Sequence, residues 1–222
     1  MKFLVVGSGS IAQRHISNLL ELDHDVIVES TFVKDDYLKV GGIDVEVTTK
    51  ADLSKFDAVI VANLTSLHVS VAFNCTALSL PFFIEKPLST SLVGVHKLAE
   101  MVRRQNLTVE AGFMLHAHPQ VALIKDYLLK KHIGEVLYVR AAVGQWLPEW
   151  RPDRDYKSGY AADKNKGGGV LLDLIHEVEL VQSLFGKIQD KKIYRIKCDR
   201  LEIETESIAT VNGLLENGAI CH

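Results

Sequence analysis

The chain has 222 residues, 25 Lys and Arg against 28 Asp and Glu, a formal net charge of −3, and 47% hydrophobic residues. That balance argues against a surface dedicated to nucleic acid, and no apolar run approaches the roughly 20 residues of a membrane helix, so neither partner is expected. Cys75, Cys198 and Cys221 form no C-x-x-C pair, and an odd number cannot close into a complete intrachain set; they read as free thiols of a cytoplasmic protein.

The N-terminal half alternates short β-rich runs with helical periodicity. Residues 2–6 read as a strand, and the glycine that ends this apolar run argues against a signal peptide. Residues 11–22 predict a helix, with Ile11, Ile16, Leu19 and Leu20 near a 3.6 period. Strands are expected at 25–29 and 45–48. Residues 58–62 (Ala-Val-Ile-Val-Ala) form the continuous apolar run of a strand covered on both faces. A helix over 67–78, a strand over 82–85, a helix over 91–105 and a strand over 108–111 complete the series. Such alternation predicts an α/β fold, a parallel sheet with right-handed crossovers and helices on both faces.

Near His118 the pattern changes, so 1–118 and 119–222 read as two domains. A helix over 119–132 meets a stop at Gly134, and 135–145 reads as a long strand. Residues 146–169 are irregular and 170–185 read as one helix. Strands over 191–198 and 207–215 follow, the second ended by the hairpin signal Glu216-Asn217-Gly218. The second domain is therefore α+β with a mostly antiparallel sheet. Its few strands make it look shortened.

Gly7-Ser8-Gly9-Ser10-Ile11-Ala12 is G-x-G-x-x-A between a strand and a helix. Gly7 permits the tight turn, Gly9 lets a pyrophosphate approach the backbone, and Ala12 allows close helix–strand packing. The helix start at Ser10 and Ile11 offers N–H groups and about half a positive charge to the phosphates. The end of the second strand should read the adenosine ribose, where an acid bonds the 2′-hydroxyl and repels a 2′-phosphate. Glu29 lies 22 positions after Gly7, near the expected spacing of about 20, and Ser30 is next. One step of register exchanges them. Glu29 at the site favours NAD, whereas Ser30-Thr31 tolerates NADP. No arginine is adjacent, which leans the reading to NAD.

Strand 82–85 runs into Glu85-Lys86-Pro87. Ligands of doubly wound sheets sit beyond the carboxyl ends of the strands, where Gly7, Gly9, Glu29, Asn63 and Lys86 all fall. With these residues the sequence resembles the glucose–fructose oxidoreductase / inositol dehydrogenase (Gfo/Idh/MocA) family. The resemblance runs through Gly7-Ser8-Gly9-Ser10-Ile11-Ala12-Gln13-Arg14-His15, Ala62-Asn63-Leu64-Thr65-Ser66-Leu67-His68, Glu85-Lys86-Pro87 and Gly167-Gly168-Gly169-Val170-Leu171-Leu172-Asp173-Leu174-Ile175-His176, in that order. It covers essentially the whole chain. Leu64 stands where the family often has Pro. An Arg and an aromatic are common where His116 and Ala117 stand.

The resemblance implies an N-terminal doubly wound Rossmann domain, a C-terminal open sheet that provides the substrate floor, and NAD(P)-dependent oxidation or reduction of a sugar, polyol or related hydroxyl. It implies that NAD, or NADP, is held by the glycine turn together with Ala62, Asn63, Leu64, Thr65, His68, Glu85 and Lys86. Lys86 takes the position of the family's substrate-contacting lysine, and Asp173 and His176 those of its acid and histidine. It also implies a cis Lys86–Pro87 bond. The chemistry agrees, because hydride transfer needs a group that moves the hydroxyl proton, and histidine titrates near neutrality. On a single helix Asp173 and His176 would share one face.

Trp146–Tyr156 is rich in aromatics and arginines. It is a surface loop or a substrate lid, in which Trp150 or Tyr156 stacks on a sugar and Arg151 or Arg154 grips a carboxylate or phosphate. It resembles members acting on nucleotide-linked or acidic sugars of surface polysaccharide synthesis. His116-x-His118 has no acid or Cys at ligand spacing, so no metal is expected. The competing reading is a shortened, catalytically impaired relative that binds nucleotide or protein. An uncovered C-terminal sheet edge points to a homo-oligomer.

Overall fold

Leu4 and Val6 point to one side of the first strand and Val5 to the other, and all three are buried. A strand apolar on both faces must be covered on both. A computed structural model, which describes all residues 1–222, supplies the cover. Strands β1 (Lys2–Val6), β2 (Asp25–Glu29), β3 (Tyr37–Val40), β4 (Ile43–Thr48), β5 (Ala58–Val61), β6 (Phe82–Ile84) and β7 (Val109–Ala111) form one sheet in the order β3-β4-β2-β1-β5-β6-β7. All neighbours are parallel except β3 and β4.

Helix α1 (Ser10–Glu21) lays Ala12, Ile16 and Leu19 against Val5, Val28 and Ile60 on one face. Helices α2 (His68–Ala77) and α3 (Val95–Gln105) bring Ala72, Cys75 and Leu98 to Leu4, Val6, Val59, Val61 and Ile84 on the other. Each fully buried aliphatic side chain here contributes about 1.5–3 kcal/mol. Strand β1 lies between β2 and β5, so the chain order reverses beside it. The carboxyl ends of β1 and β5 therefore border the switch point where such sheets bind ligands.

Two departures from the sequence reading have local causes. The strand expected at 45–48 begins at Ile43, and it pairs with β3, which was not expected. Gly41 and Gly42 join them with φ of +58° and +89°, the left-handed pair that a tight hairpin demands. The helix expected over 91–105 begins only at Val95, after Gly94 at φ +77°. The Lys86–Pro87 bond is cis.

Chain contacts divide the protein into Met1–Gly112 and Phe113–His222. The division precedes the expected 118/119 boundary because the 3₁₀ turn Met114–Ala117 packs on elements of the second unit. That unit contains α4 (Pro119–Leu129), β8 (Tyr138–Val139), α5 (Leu147–Trp150), α6 (Val170–Asp173), α7 (His176–Phe185), β9 (Gln189–Ile196), β10 (Ile208–Leu214) and β11 (Ile220–Cys221). Its sheet has the order β8-β11-β10-β9, with only β8 and β11 parallel. Val139, Val178, Val181, Phe185, Ile188, Val211, Leu215 and Cys221 form the core.

The long strand expected over 135–145 is only the two residues of β8, which pair with Ile220 and Cys221 of β11. The hairpin signal at Asn217-Gly218 does launch a strand, with the Leu215 N–H donating to the Ala219 carbonyl at 2.8 Å. The single helix expected over 170–185 is two. Leu174, at φ −105° and ψ +37°, breaks it between Asp173 and His176. No helix is long and apolar enough to cross a membrane. All three cysteines are free thiols.

Candidate active site

The turn after β1 is built by what its glycines lack. Gly7 sits at φ +122°, and a Cβ there would run into the Ala62 carbonyl, so the end of β5 closes on the turn. Gly9 is different: a Cβ on it would meet nothing within 4 Å. No side chain caps α1 at Gly9, and its first turn carries no acid. Gln13 Nε2 donates to the Ser8 carbonyl at 3.1 Å and braces the turn from inside the helix. Open space before an uncapped helix start fits the pyrophosphate of a dinucleotide.

The end of β2 resolves the register left open by the sequence. Glu29 turns its carboxylate to the Ala51 N–H, 2.7 Å away. Ser30 faces the glycine turn, with its Oγ 2.9 Å from Ser8 Oγ. Adjacent strand residues point to opposite faces, so the two cannot both meet the turn.

Beyond β5, Ala62 and Thr65 are buried, and the Asn63 side-chain oxygen is buried with no protein partner. Leu64 precedes a 3₁₀ turn over Thr65–Leu67 and accepts a bond from the Leu67 N–H at 2.8 Å. His68 was expected among the nucleotide contacts, yet its side chain is turned into the protein. Its Nδ1 lies 3.0 Å from the Pro87 carbonyl and its Nε2 3.2 Å from the Asn63 carbonyl, and it is 1% exposed. The ring thus staples the loop after β5 to the Lys86-Pro87 turn.

Burial pushes the His68 pKa below its ordinary 6.5, outweighing the two carbonyls. The unfolded chain therefore binds this proton more readily than the folded one. Its contribution to stability is fully present above about pH 6.5 and is lost as pH falls toward the lower folded value, by at most about 1.4 kcal/mol per pH unit. Denaturant melts across that window should show less acid destabilisation in His68→Gln than in the parent. Equal slopes would contradict this.

The carboxylate of Glu85, a residue expected at the cofactor, braces the Lys86 turn. Oε1 pairs with His15 Nε2 at 2.7 Å and Oε2 accepts the Lys86 N–H at 3.1 Å. Gly112 leaves room for it, since a Cβ there would approach Oε2 to 2.9 Å. The His15 ring stands edge-on to Phe83, centroids 5.1 Å apart. Helix α1, which starts at the glycine turn, thus also fixes the backbone of Lys86.

In the second unit the glycine run makes a second constellation. Gly168 carries no Cβ because the Tyr160 and Ala161 carbonyls crowd it, and Gly169, at φ +115°, packs on the Glu206 carboxylate. The Val170 N–H donates to the Glu206 carbonyl at 3.1 Å and starts α6, whose last residue is the buried Asp173. Tyr160 hydrogen-bonds the Asp173 side chain; burial, with that carboxylate beside it, pushes the phenol pKa well up. Arg151 lies 5.8 Å from the Trp150 ring centroid and 5.9 Å from that of Tyr160. Trp150, Arg151, Tyr160 and Asp173 therefore form one cluster. Tyr156 does not share its bonds: its hydroxyl donates to the Leu201 carbonyl at 3.3 Å. Arg154 is exposed.

His176 opens α7, so it does not share a helix face with Asp173. Its i+3 neighbour on that helix is Glu179. The His176 ring is edge-on to Phe113 at 6.2 Å, and Phe113 also meets His116, which pairs with Glu179.

Residues 1–113 match the profile described as "Oxidoreductase family, NAD-binding Rossmann fold", and residues 121–222 match the GFO/IDH/MocA C-terminal domain. The chain belongs to the GFO/IDH/MocA family. Myo-inositol 2-dehydrogenase of Thermotoga maritima is 24% identical over 195 residues, covering 84% of this chain and 55% of that protein. An uncharacterised oxidoreductase of Streptococcus pneumoniae is 30% identical over 130 residues, covering 59% of this chain and 34% of that protein. The WlbA dehydrogenase of Chromobacterium violaceum, solved with NADH and UDP-GlcNAcA, shares the fold at a TM-score of 0.81 and 19% identity, over 100% of this chain and 65% of that one. The chain thus spans between a third and two thirds of the length of these relatives.

As a GFO/IDH/MocA member the chain has a Rossmann unit for NAD, and its glycine turn fits that group. The sequence reading did not single out His15, Tyr160 or Glu179, which contact Glu85, Asp173 and His116. His15 stood inside the quoted Gln13-Arg14-His15 run, so its signal was present. Nothing in the spacing of Tyr160 or Glu179 announces their partners.

Proposed function

We propose that this chain is a cytoplasmic NAD(P)-dependent oxidoreductase acting on a hydroxyl or carbonyl of a sugar or sugar derivative. The observation that carries the reading is the glycine turn closed on β5 by Gly7, with open space at Gly9, beside the braced Glu85-Lys86 turn. When bound, the nicotinamide supplies the hydride acceptor or donor.

The chain's own residues do the rest. Gly7, Gly9, Ser10 and Ile11 hold the pyrophosphate with backbone N–H groups. Ala62, Asn63, Leu64 and Thr65 shape the far side of the crevice. Lys86 donates from Nζ to the substrate oxygen, with its backbone fixed by Glu85 and His15. His176 takes the hydroxyl proton on a ring nitrogen during oxidation and returns it during reduction. Asp173, oriented by Tyr160, accepts from a substrate hydroxyl. Arg151, laid against Trp150 and Tyr160, meets a carboxylate or phosphate. The nucleotide-linked acidic sugar in the WlbA dehydrogenase supports an acidic or nucleotide-linked substrate for this chain too.

A panel of polyols, free sugars, sugar acids and sugar nucleotides, assayed in both directions by nicotinamide absorbance, tests this. Turnover of an acidic or nucleotide-linked sugar is expected. Tight nucleotide binding with no turnover of any panel member would favour a nucleotide- or protein-binding module instead.

The second sheet supports self-association. Pairing puts Ile208 beside Ile196, Leu214 beside Ile220 and Ile220 beside Tyr138, and all of these are exposed. The opposite face carries the core. Strand β9 is exposed along its whole length and ends the sheet. Such a face and edge are seldom left bare. Sedimentation at micromolar concentration should show a concentration-dependent oligomer that Ile196→Glu shifts toward monomer. A monomer whose β9 amides resist hydrogen exchange would contradict this.

A further inference from the structure

Given that His176 moves the hydroxyl proton, as proposed above, the position of its ring decides how well that proton is transferred. The ring stands edge-on to Phe113, with centroids 6.2 Å apart and planes at 86°. Phe113 is half-buried and immediately precedes the 3₁₀ turn Met114–Ala117, where the His116 N–H donates to the Phe113 carbonyl at 3.0 Å. No residue of that turn is buried, and none is buried in α4, which follows it. Apolar burial therefore does little to seat Phe113 against α7.

The tie that holds the turn to α7 is polar. His116 Nε2 pairs with Glu179 Oε1. Glu179 lies three residues after His176, on the same face of α7. The Phe113 and His116 rings are themselves in contact, centroids 6.4 Å apart. A closed circuit thus runs from His176 along α7 to Glu179, across to His116, and back through Phe113 to the His176 ring. The His116 side chain is 50% exposed, whereas that of Glu179 is 19% exposed and its Oε2 is buried with no partner. Such an oxygen is costly, and a methionine would fill the place without that cost. What methionine would not supply is the acceptor for His116.

We propose that Glu179 is a positioning residue: through His116 it seats the Phe113 ring against His176 and so sets the orientation in which the imidazole meets the substrate hydroxyl. Glu179→Ala and His116→Ala should each lower turnover by about 10–100-fold, with KM and NADH affinity within about threefold of the parent. The double variant should be no worse than either single one, because both remove the same link. Glu179→Gln keeps an oxygen that accepts from His116 and should hold turnover within about threefold.

The test reads geometry and chemistry separately. In the intact chain carrying carbon-13-labelled histidine, the His176 ring resonance is assigned by its loss in His176→Gln and followed on its high-pH plateau. Phe113→Leu defines the displacement when the neighbouring ring is removed. Glu179→Ala and His116→Ala are expected to produce most of that displacement, and Glu179→Gln little of it. His116→Ala, at a half-exposed side chain, keeps the comparison if Glu179→Ala does not fold. Displacement together with the loss of turnover supports the proposal. A resonance unmoved in both alanine variants overturns it whatever the turnover, as does a displacement in Glu179→Gln as large as in the alanine variants. Displacement with parental turnover in the alanine variants, where His176→Gln has lost turnover, overturns the link to chemistry. If the parent turns over no substrate, the hydride-transfer reading fails, and the resonance still decides whether Glu179 positions the ring.

Discussion

Lys86→Ala and His176→Ala are each expected to lower turnover by about 10²–10⁴-fold while leaving NADH affinity within about threefold. The split follows from where the residues sit. The proposed pyrophosphate site is the glycine turn and the start of α1, which neither side chain supports. Lys86 follows β6, and the backbone of its turn is held by Glu85 and His15. Removing its side chain deletes the proposed donor to the substrate oxygen and leaves the turn in place. Lys86→Arg keeps a cation but not the geometry, and should rescue little. For His176, the pH profile separates the roles. Loss of a proton-transfer group removes one limb of the profile, whereas a packing role lowers the whole curve without changing its shape. Full turnover by His176→Ala would overturn its assignment as the proton-transfer group.

Gly7→Ala and Gly9→Val should fail in different ways. At Gly7 an added Cβ collides with the Ala62 carbonyl, at a backbone φ of +122° that other residues avoid. Either β1 and β5 part or the turn reshapes, at a cost of about 2–4 kcal/mol. The melting midpoint should fall and nucleotide binding with it. At Gly9 the φ is −69° and the space is open, so valine is accommodated by the fold. Its branches then occupy the pyrophosphate approach and weaken NADH by at least about 100-fold with little change in melting. Equal destabilisation by both variants would contradict the division of labour drawn between these glycines.

The Rossmann half was legible because each signal was local. The run Ala58–Val61 is apolar throughout, as a doubly covered strand must be, and Gly7 to Ala12 has the required strand before it and helix after it. The β3–β4 hairpin was missed although Gly41-Gly42 announced it, because Tyr37–Val40 alternates with charge and buries little. Other misses depended on distant partners. The strand expected from 135 is only Tyr138–Val139, and its partner β11 lies about 80 residues away in sequence, a pairing that its own residues do not announce. Apolar periodicity continues through Leu174, so the break that separates Asp173 from His176 left no trace in the pattern. Alternation showed that Glu29 and Ser30 oppose each other. Which of them meets the turn was set by Thr48, Ala51 and Ser8, far apart in sequence.

Calorimetric titration of the intact chain with NAD, NADH, NADP and NADPH, alongside Gly9→Val, bears most directly on the claim that the glycine turn holds a nicotinamide dinucleotide for chemistry. Saturable binding of at least one nucleotide, lost in Gly9→Val while the fold persists, is the expected result. No binding of any of the four, or equal binding by Gly9→Val, would contradict it.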